Sequence, residues 1–253
     1  MEYLIVFIFG AIIGSFLNVC IYRIPKGQSI VSPGSFCPAC GKTLKWYDNI
    51  PLVSFIALRG KCRGCRKRIP LRYFIVELVT ALVSLVLLSF FGISISFFVY
   101  AIFACVLIVI TFIDLDIQEI PDEISLPGIA VGLILVTVFK MHGTFVGSFA
   151  NSAVGILVGG GSMFLLGTVG ELLFKKEALG GGDIKLMGMI GAFLGWKLVL
   201  VTFFLAPVFG SICSIGMLLK KKKEPIAYGP YLAIGSLVSL LFGEEILGFL
   251  FVY

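Results

Sequence analysis

Residues 95–123 read ISFFVYAIFACVLIVITFIDLDIQEIPDE, and this stretch decides what kind of protein the chain forms. Residues 95–113 hold no charged side chain, whereas residues 114–123 hold five acids and no basic residue. A helix needs about 20 apolar residues to cross a bilayer, so residues 95–113 predict a transmembrane helix. The acids follow at its membrane boundary, a depth at which carboxylates are costly and usually functional.

Seven other stretches of the chain are also apolar. Together with residues 95–113 they predict an all-α membrane protein of about eight transmembrane helices. The chain of 253 residues is 59% hydrophobic and 13% charged, whereas soluble domains carry about 25% charged residues. The stretch at 185–197 is short and glycine-rich. The seven other predicted spans are residues 3–22, 73–91, 124–140, 151–174, 185–197, 198–219 and 230–251.

The first span is predicted to be a retained helix and not a cleaved signal peptide. A signal peptide has basic residues before its apolar run and a small-residue cleavage site after it. Neither is present around Met1 to Tyr22. We therefore expect a first transmembrane helix at 1–22.

The basic residues predict the orientation of the chain and account for its net charge of +6. If the first long loop is inside, eighteen of the 20 Lys and Arg residues lie inside, Lys185 included, and only Lys140 and Lys197 lie outside. Cytoplasmic loops usually carry such an excess of basic residues. We expect both termini outside, a tetralysine at 220–223 that anchors the inner face near anionic headgroups, and no nucleic-acid partner.

Residues 23–72 form a polar segment that we predict to be a small cytoplasmic domain, followed by a membrane domain at 73–253. The segment holds eleven basic residues and a single acid, Asp48. It also holds two C-x-x-C pairs separated by 21 residues, which is the spacing of a zinc ribbon with four thiolate ligands. The predicted zinc ligands are Cys37, Cys40, Cys62 and Cys65.

The predicted zinc is structural, because four thiolates leave the metal no open position for water or substrate. Disulfide bonds or redox chemistry are the alternative, which a cytosolic location disfavours. The other three cysteines, Cys20, Cys105 and Cys213, lie in apolar runs and are expected in the core.

Two carboxylates are predicted to form a catalytic pair. Asp114 ends the span at 95–113, and Asp183 lies in the later segment Gly180-Gly181-Gly182-Asp183-Ile184-Lys185. Both are expected at the inner membrane boundary, on separate helices that could converge. Two carboxyls held close together share a proton; the ionised one can then draw a proton from water while the other polarises a peptide carbonyl.

The three glycines fit this interpretation, because they would let the backbone unwind and approach an extended substrate. Unwound backbone at this depth is tolerated only around a wet cavity, which hydrolysis requires. The pair titrates as a unit, so the sequence assigns neither the acid nor the base.

Simpler interpretations remain open from the residues alone. Asp183 follows glycines and could be a helix N-cap, and Pro121 with Asp122 could merely start the next helix. An acidic cluster could also hold Mg²⁺ for a membrane lipid or phosphoryl transferase, and a transporter would need no chemistry. Ser-His or Cys-His catalysis is disfavoured, because the only histidine, His142, is predicted outside.

At these residues the chain resembles the type IV prepilin peptidases, which are bacterial inner-membrane aspartic proteases of the GxGD type. The first aspartate of the family lies seven residues before an Ile-Pro-[Asn/Asp] proline, as Asp114 lies before Pro121. The second lies in a G-x-G-D-x-K segment, matched by Gly180 to Lys185. Further matches are Gly14 to Val19 with Arg23 and Pro25, Trp46 to Pro51, Leu58 to Cys62, and Arg72, Tyr73 and Glu77.

The resemblance implies more than hydrolysis. Members with the cysteine domain cleave a short basic leader from prepilins or pilin-like proteins and then N-methylate the new terminus with S-adenosylmethionine. Glu77 could belong to the methyl-transfer site or could only pair with Arg72. Asp116 and Asp122 would tune the catalytic pair or attract the basic leader, and the pilin system that supplies the substrate is not specified.

Overall fold

The computed structural model describes residues 1–175, 180–219 and 227–251, and over these residues the regular structure is helical. Two isolated bridges in the cysteine segment, Phe36 with Thr43 and Lys61 with Arg68, are the only β pairing in the described ranges. The predicted all-α class is confirmed. The helices are α1 (Glu2–Arg23), α2 (Val53–Ala57), α3 (Leu71–Phe91), α4 (Ile95–Ile117), α5 (Asp122–Val138), α6 (Phe145–Phe174), α7 (Gly181–Leu219) and α8 (Gly229–Phe251). The tetralysine at 220–223 lies outside the described residues.

Six of these helices are long and apolar enough to cross a membrane, counting only the described part of the chain. They are α1, α3, α4, α6, α7 and α8. With 17 residues, α5 spans about 26 Å at 1.5 Å per residue, which is close to the thickness of the hydrocarbon core. With 39 residues, α7 would be about 58 Å long as one rod, nearly twice that thickness.

The length of α7 is explained by a break at Gly195. This residue has φ 78° and ψ 176°, so the helix is interrupted there and two helical segments, 181–194 and 196–219, follow one another. The left-handed φ favours glycine, and a Cβ at this position would lie 2.5 Å from Nδ2 of Asn151. A side chain at position 195 is therefore excluded both by the backbone and by its neighbour.

The contacts on either side of Gly195 show that the chain reverses direction there. Leu198 lies beside Ser239, whose Oγ donates to the Leu198 carbonyl over 2.6 Å. Farther along, Gly210 lies beside Tyr231, near the start of α8. The segment 196–219 is thus antiparallel to α8 and returns to the end from which 181–194 departed. With this reversal, the predicted eight helical passages are recovered.

The span predicted at 95–113 continues to Ile117, and the limits of two further predicted spans also differ from the structure by several residues. The span predicted at 151–174 begins at Phe145, because Thr144 caps the helix by accepting the N–H of Gly147 at 3.1 Å. The span predicted at 185–197 begins at Gly181 and ends at the break. Both differences lengthen the helices at polar or glycine-rich ends, where hydropathy gives little signal.

The chain divides into two compact units, Met1–Val109 and Ile110–Tyr253, and the division falls within α4. In the first unit, α1 packs closely on α3 through two glycines. A Cβ at Gly10 would lie 2.8 Å from Cα of Ala81, and one at Gly14 would lie 2.7 Å from Cα of Glu77. Such small residues allow helix backbones to approach in lipid.

The polar segment that follows α1 is organised by Arg23. This side chain is 4% exposed and donates to the carbonyls of Ser29, Pro33 and Gly34 at 2.9, 2.7 and 3.1 Å. A buried guanidinium has to be fully hydrogen-bonded to be tolerated. Arg23 thus ties the beginning of the cysteine segment to the end of α1.

In the second unit, α6 and the segment 181–194 cross at glycines. Gly155 and Gly191 face each other so closely that a Cβ on either would overlap the backbone of the other. Ser152 adds a buried hydrogen bond of 2.6 Å to the carbonyl of Ala192. This crossing fixes the segment that carries Asp183.

Candidate active site and metal centre

Asp114 lies in the last turns of α4 and is 5% exposed. Its Oδ2 accepts a buried hydrogen bond of 2.8 Å from the backbone N–H of Gly229, the first residue of α8. The first N–H groups of a helix have no partner within the helix, and they carry the positive end of its dipole. The carboxylate of Asp114 is therefore held from outside its own helix.

Asp183 lies in the first turn of α7, and its backbone N–H donates to the carbonyl of Gly180 at 3.1 Å. Its carboxyl lies close enough to that of Asp114 for the two charges to interact. The two predicted catalytic aspartates thus come together within the second unit, from helices that are 69 residues apart in the sequence.

The glycines before Asp183 have roles that differ from the predicted unwinding. Gly181 and Gly182 lie inside α7, and only Gly180 precedes the helix. A Cβ at Gly182 would lie 2.9 Å from Cβ of Ile120, whereas one at Gly181 would meet nothing within 4 Å. Gly182 therefore allows the start of α7 to pack against the acidic segment that follows Asp114.

Lys185 forms an ion pair across the same region. Its Nζ donates to both carboxylate oxygens of Asp122, at 2.6 and 2.7 Å. The two side chains are 38% and 52% exposed, so water screens the pair. Lys185 thus joins the starts of α5 and α7, while the other predicted supporting acid, Asp116, lies exposed in the last turn of α4.

Sequence reasoning missed Tyr228 and Gly229. Gly229 donates to Asp114, and the phenol of Tyr228 lies near Asp183: burial, and then the charge of Asp183, raise the pKa of Tyr228 to about 12. The step Tyr228-Gly229-Pro230 before an apolar run signals a helix start. Nothing in the sequence indicates which carboxylate that helix start would meet.

The four cysteines predicted to bind zinc converge in the first unit. Their sulfur atoms all lie within 4.8 Å of one another, and Sγ of Cys37 lies 4.0 Å from Sγ of Cys65. Four sulfurs at about 2.3 Å from a tetrahedral zinc would be just under 4 Å apart. The cluster therefore has the donor set and the approximate size of a zinc site.

Two equivalent turns present these thiols. Cys37 donates its N–H to the carbonyl of Lys42 and Cys62 donates to Lys67, both at 2.9 Å. The isolated bridges lie one residue outside each of these pairs. The backbone N–H groups of Cys65 and then Gly64 lower the pKa of the Cys62 thiol to about 7, which favours the thiolate that a metal requires.

Glu77 lies in α3 and is 9% exposed. It accepts the N–H of Leu52 at 2.7 Å, and Leu52 has an unusual φ of 61°. The carboxyl lines two neighbouring cavities of about 240 and about 90 Å³, which also share Tyr73 and Asn49. A largely buried acid between two cavities is a candidate for binding a ligand.

His142 lies between α5 and α6 and is half-buried, and burial lowers the pKa of its imidazole. It lines a cavity of about 490 Å³ with Asn151, Lys197 and Glu244. Asn151 is beside Gly195, where the chain reverses, so this cavity is at the end of the second unit away from the aspartates. His142 is accordingly not part of the candidate active site.

Comparison with known proteins agrees with this geometry. Residues 8–91 match the bacterial peptidase A24 N-terminal domain, and residues 101–215 match the type IV leader peptidase family. A protein of Aeromonas hydrophila named prepilin leader peptidase/N-methyltransferase is 34% identical over 96% of this chain and 91% of its own length. The chain belongs to the type IV leader peptidase family.

Other relatives carry the same name. A protein of Pseudomonas aeruginosa is 34% identical over 94% of this chain and 89% of its own length. One of Myxococcus xanthus is 40% identical over 84% of this chain, and the match spans 62% of its length. No solved structure matches the chain.

Proposed function

We propose that this family member cleaves the leader peptide from prepilins or pilin-like proteins with Asp114 and Asp183, and then N-methylates the new terminus. The observation that carries the proposal is the convergence of the two carboxyls at one partly buried place. The relatives at 34% identity are named for both activities. The protein is a multi-pass protein of the bacterial inner membrane.

In the proposed cleavage, one water is bound between the two carboxyls. The ionised carboxylate takes a proton from this water as its oxygen attacks the scissile carbonyl, and the protonated carboxyl donates to the carbonyl oxygen. Collapse of the tetrahedral intermediate breaks the C–N bond. The leaving amine takes the proton that the first carboxylate drew from water, and the protonated oxygen of the intermediate returns its proton to the second carboxyl as the new carboxylic acid forms. The two residues act as one unit, so each is indispensable.

The acidic segment supports recognition of a basic leader. Glu119 and Glu123 follow Asp114 in the sequence, and both side chains are exposed. A surface of one charge attracts a segment of the opposite charge. Asp122 is partly neutralised by Lys185. We therefore assign leader attraction to Glu119 and Glu123 before Asp116 or Asp122.

We place methyl transfer at Glu77, between its two cavities. S-adenosylmethionine would supply an electrophilic methyl group on a sulfonium. The aromatic rings of Phe55 and Phe74 line the larger cavity with Glu77, and rings and carboxylates both attract a cation. As the terminal amine forms its bond to the methyl carbon and the C–S bond breaks, Glu77 would accept the proton that the amine loses.

Zinc would be held by Cys37, Cys40, Cys62 and Cys65. The four sulfurs fit one tetrahedral ion, and a loop with two isolated bridges has few other sources of stability. We propose a structural role within a cytoplasmic domain at 23–72, between a first helix at 1–22 and a membrane domain at 73–253.

The proposed orientation puts the aspartates at the cytoplasmic face and both termini outside. Lys185 lies at the aspartate end of the second unit, and Lys197 lies at the other end beside Gly195. The remaining basic residues are concentrated in loops that the positive-inside rule assigns to the cytoplasm.

A Mg²⁺-dependent transferase is the alternative, and the geometry favours it less. Among the described residues, the four cysteines are the only set of three or more His, Cys, Asp or Glu side chains gathered closely enough to share a metal. The five acids of residues 114–123 are not gathered in this way.

The test is mass spectrometry of a synthetic prepilin after incubation with the purified protein and S-adenosylmethionine. We expect a product shortened by the leader and 14 Da heavier, since methylation replaces a hydrogen by a methyl group, roughly 14 Da in any such transfer. Asp114→Asn and Asp183→Asn should each lower cleavage by at least about 10³-fold, and the double variant should be no worse than either.

Asp116→Asn is the matched control, since it removes an exposed carboxylate two residues along the same helix. It should retain cleavage within a few-fold. Robust cleavage by Asp183→Asn would remove the two-aspartate mechanism and leave Asp183 as an acidic residue of the first turn of α7.

A further inference from the structure

The start of α8 is bound directly to the catalytic pair. The N–H of Gly229 donates to Oδ2 of Asp114 at 2.8 Å, and this contact is buried. The partners are 115 residues apart, so the bond is made only by the complete fold of the second unit. It constrains the one carboxylate oxygen whose position determines where a shared water can sit.

Gly229 also leaves no room for a side chain. A Cβ there would lie 2.7 Å from Oδ2 and 3.3 Å from Cγ of Asp114. These are the atoms of a carboxyl and not of a backbone, so the overlap would be relieved by rotation of Asp114 itself. A methyl group at position 229 would thus displace the catalytic group and leave the helices in place.

We propose that Gly229 is a positioning residue of the active site: its N–H fixes the orientation of the Asp114 carboxylate. This inference rests on the proposed peptidase function and extends it to a third helix. The role of α8 is then to set the catalytic geometry, in addition to packing against 196–219.

The test is the steady-state kinetics of Gly229→Ala with a prepilin substrate. We expect kcat to fall about 100-fold with KM unchanged, because displacement of a catalytic group by about 1 Å costs this much. The melting temperature should be unchanged or higher, because alanine favours a helix over glycine. A purely structural role would instead lower the melting temperature and leave the kcat of the folded protein intact.

Gly248→Ala is the matched control in the same helix, since a Cβ there would meet nothing within 4 Å. It should retain full kcat.

The outcomes separate this inference from the proposed function. If Asp114→Asn and Asp183→Asn are inactive while Gly229→Ala cleaves like the wild type, the positioning role is wrong and the peptidase function stands. If the aspartate variants cleave normally, both are wrong. Loss of kcat in Gly229→Ala at an unchanged melting temperature supports the inference.

Discussion

The cysteine segment and the aspartate site are built by opposite means. The segment from Phe36 to Arg68 has short turns, two isolated bridges and mostly exposed side chains, and its four thiols are its point of convergence. The aspartates are held by long helices that cross at glycines and bury their polar contacts. We expect the cysteine segment to depend on a bound metal for its order, whereas the aspartate site is held by buried contacts of the fold itself.

Because of this difference, substitutions in the two sites should have different effects on the fold. Loss of a zinc ligand would disorder the segment that carries it, because little else holds that segment. Loss of a catalytic carboxyl would leave the helices packed, because their contacts lie elsewhere. The activity assigned to each region can therefore be removed separately.

Glu77→Gln should give the largest effect, because it should remove methylation and leave leader cleavage intact. Methylation should fall at least about 100-fold, since glutamine cannot accept the proton that the amine loses. Leader cleavage should remain within about twofold of wild type, because the proposed peptidase mechanism does not use the Glu77 carboxyl as an acid or a base. Mass spectrometry of one reaction reports both, as a trimmed product without the added methyl.

Glu2→Gln is the control, since it removes an exposed carboxylate in the same unit to which no role is assigned, and it should retain both cleavage and methylation. If Glu77→Gln lost cleavage and methylation equally, the assignment of Glu77 to methyl transfer alone would have to be abandoned.

Cys62→Ser tests the dependence of the segment on metal. Zinc bound per chain should fall well below one, and residues 36–68 should become accessible to protease, since a thiolate ligand is lost. Cleavage should drop only several-fold, roughly the effect of an indirect contribution. Metal analysis and limited proteolysis of the reduced protein make the measurement.

Cys213→Ser is matched to this variant, as an exposed cysteine outside the cluster, and should keep its zinc and its protease resistance. Reduced wild-type protein that lacked zinc when freshly purified would contradict the metal site.

The sequence predicted the cysteine cluster in more detail than the arrangement of the helices. The cysteines were readable because each pair lies within one turn, so spacing alone implies geometry. The helices were predicted from hydropathy, and so was a reversal between the spans at 185–197 and 198–219. Its position at Gly195 was not predicted, because Gly-Trp-Lys between two apolar runs is a weak signal. Gly229 was missed because its hydrogen bond to Asp114 joins residues that are 115 positions apart, and no local pattern encodes such a contact.

Gly195→Ala tests the chain reversal within the helical unit that carries the aspartates. A side chain would require a left-handed φ and would overlap Asn151, so we expect a loss of about 2 kcal/mol in stability. A lower melting temperature in detergent is the measurement. Gly216→Ala, where a Cβ meets nothing within 4 Å, should leave it unchanged; an unaltered melting temperature in Gly195→Ala would contradict the reversal.

Asp122→Asn gives the smallest expected effect. Its ion pair with Lys185 is exposed on both sides, and such pairs contribute about 0–1 kcal/mol. Cleavage should therefore fall no more than about fivefold at low salt, and the difference should shrink as salt is added. A loss that matched Asp183→Asn, or that ignored salt, would place Asp122 in the catalytic machinery.

The turn at Gly195 also has a consequence for how the protein enters the membrane. Residues 181–194 make a helix of only about 21 Å, which is too short to span the hydrocarbon core by itself. Lys197 follows this helix closely in the sequence. Moving Lys197 across the bilayer with the turn costs free energy, because a basic residue is unfavourable within the hydrocarbon core. The longer arm at 196–219 offsets this cost only if both arms enter together. Residues 181–219 should therefore be released from the translocon as a pair, and a chain that stops at Gly195 should leave Asp183 outside the bilayer.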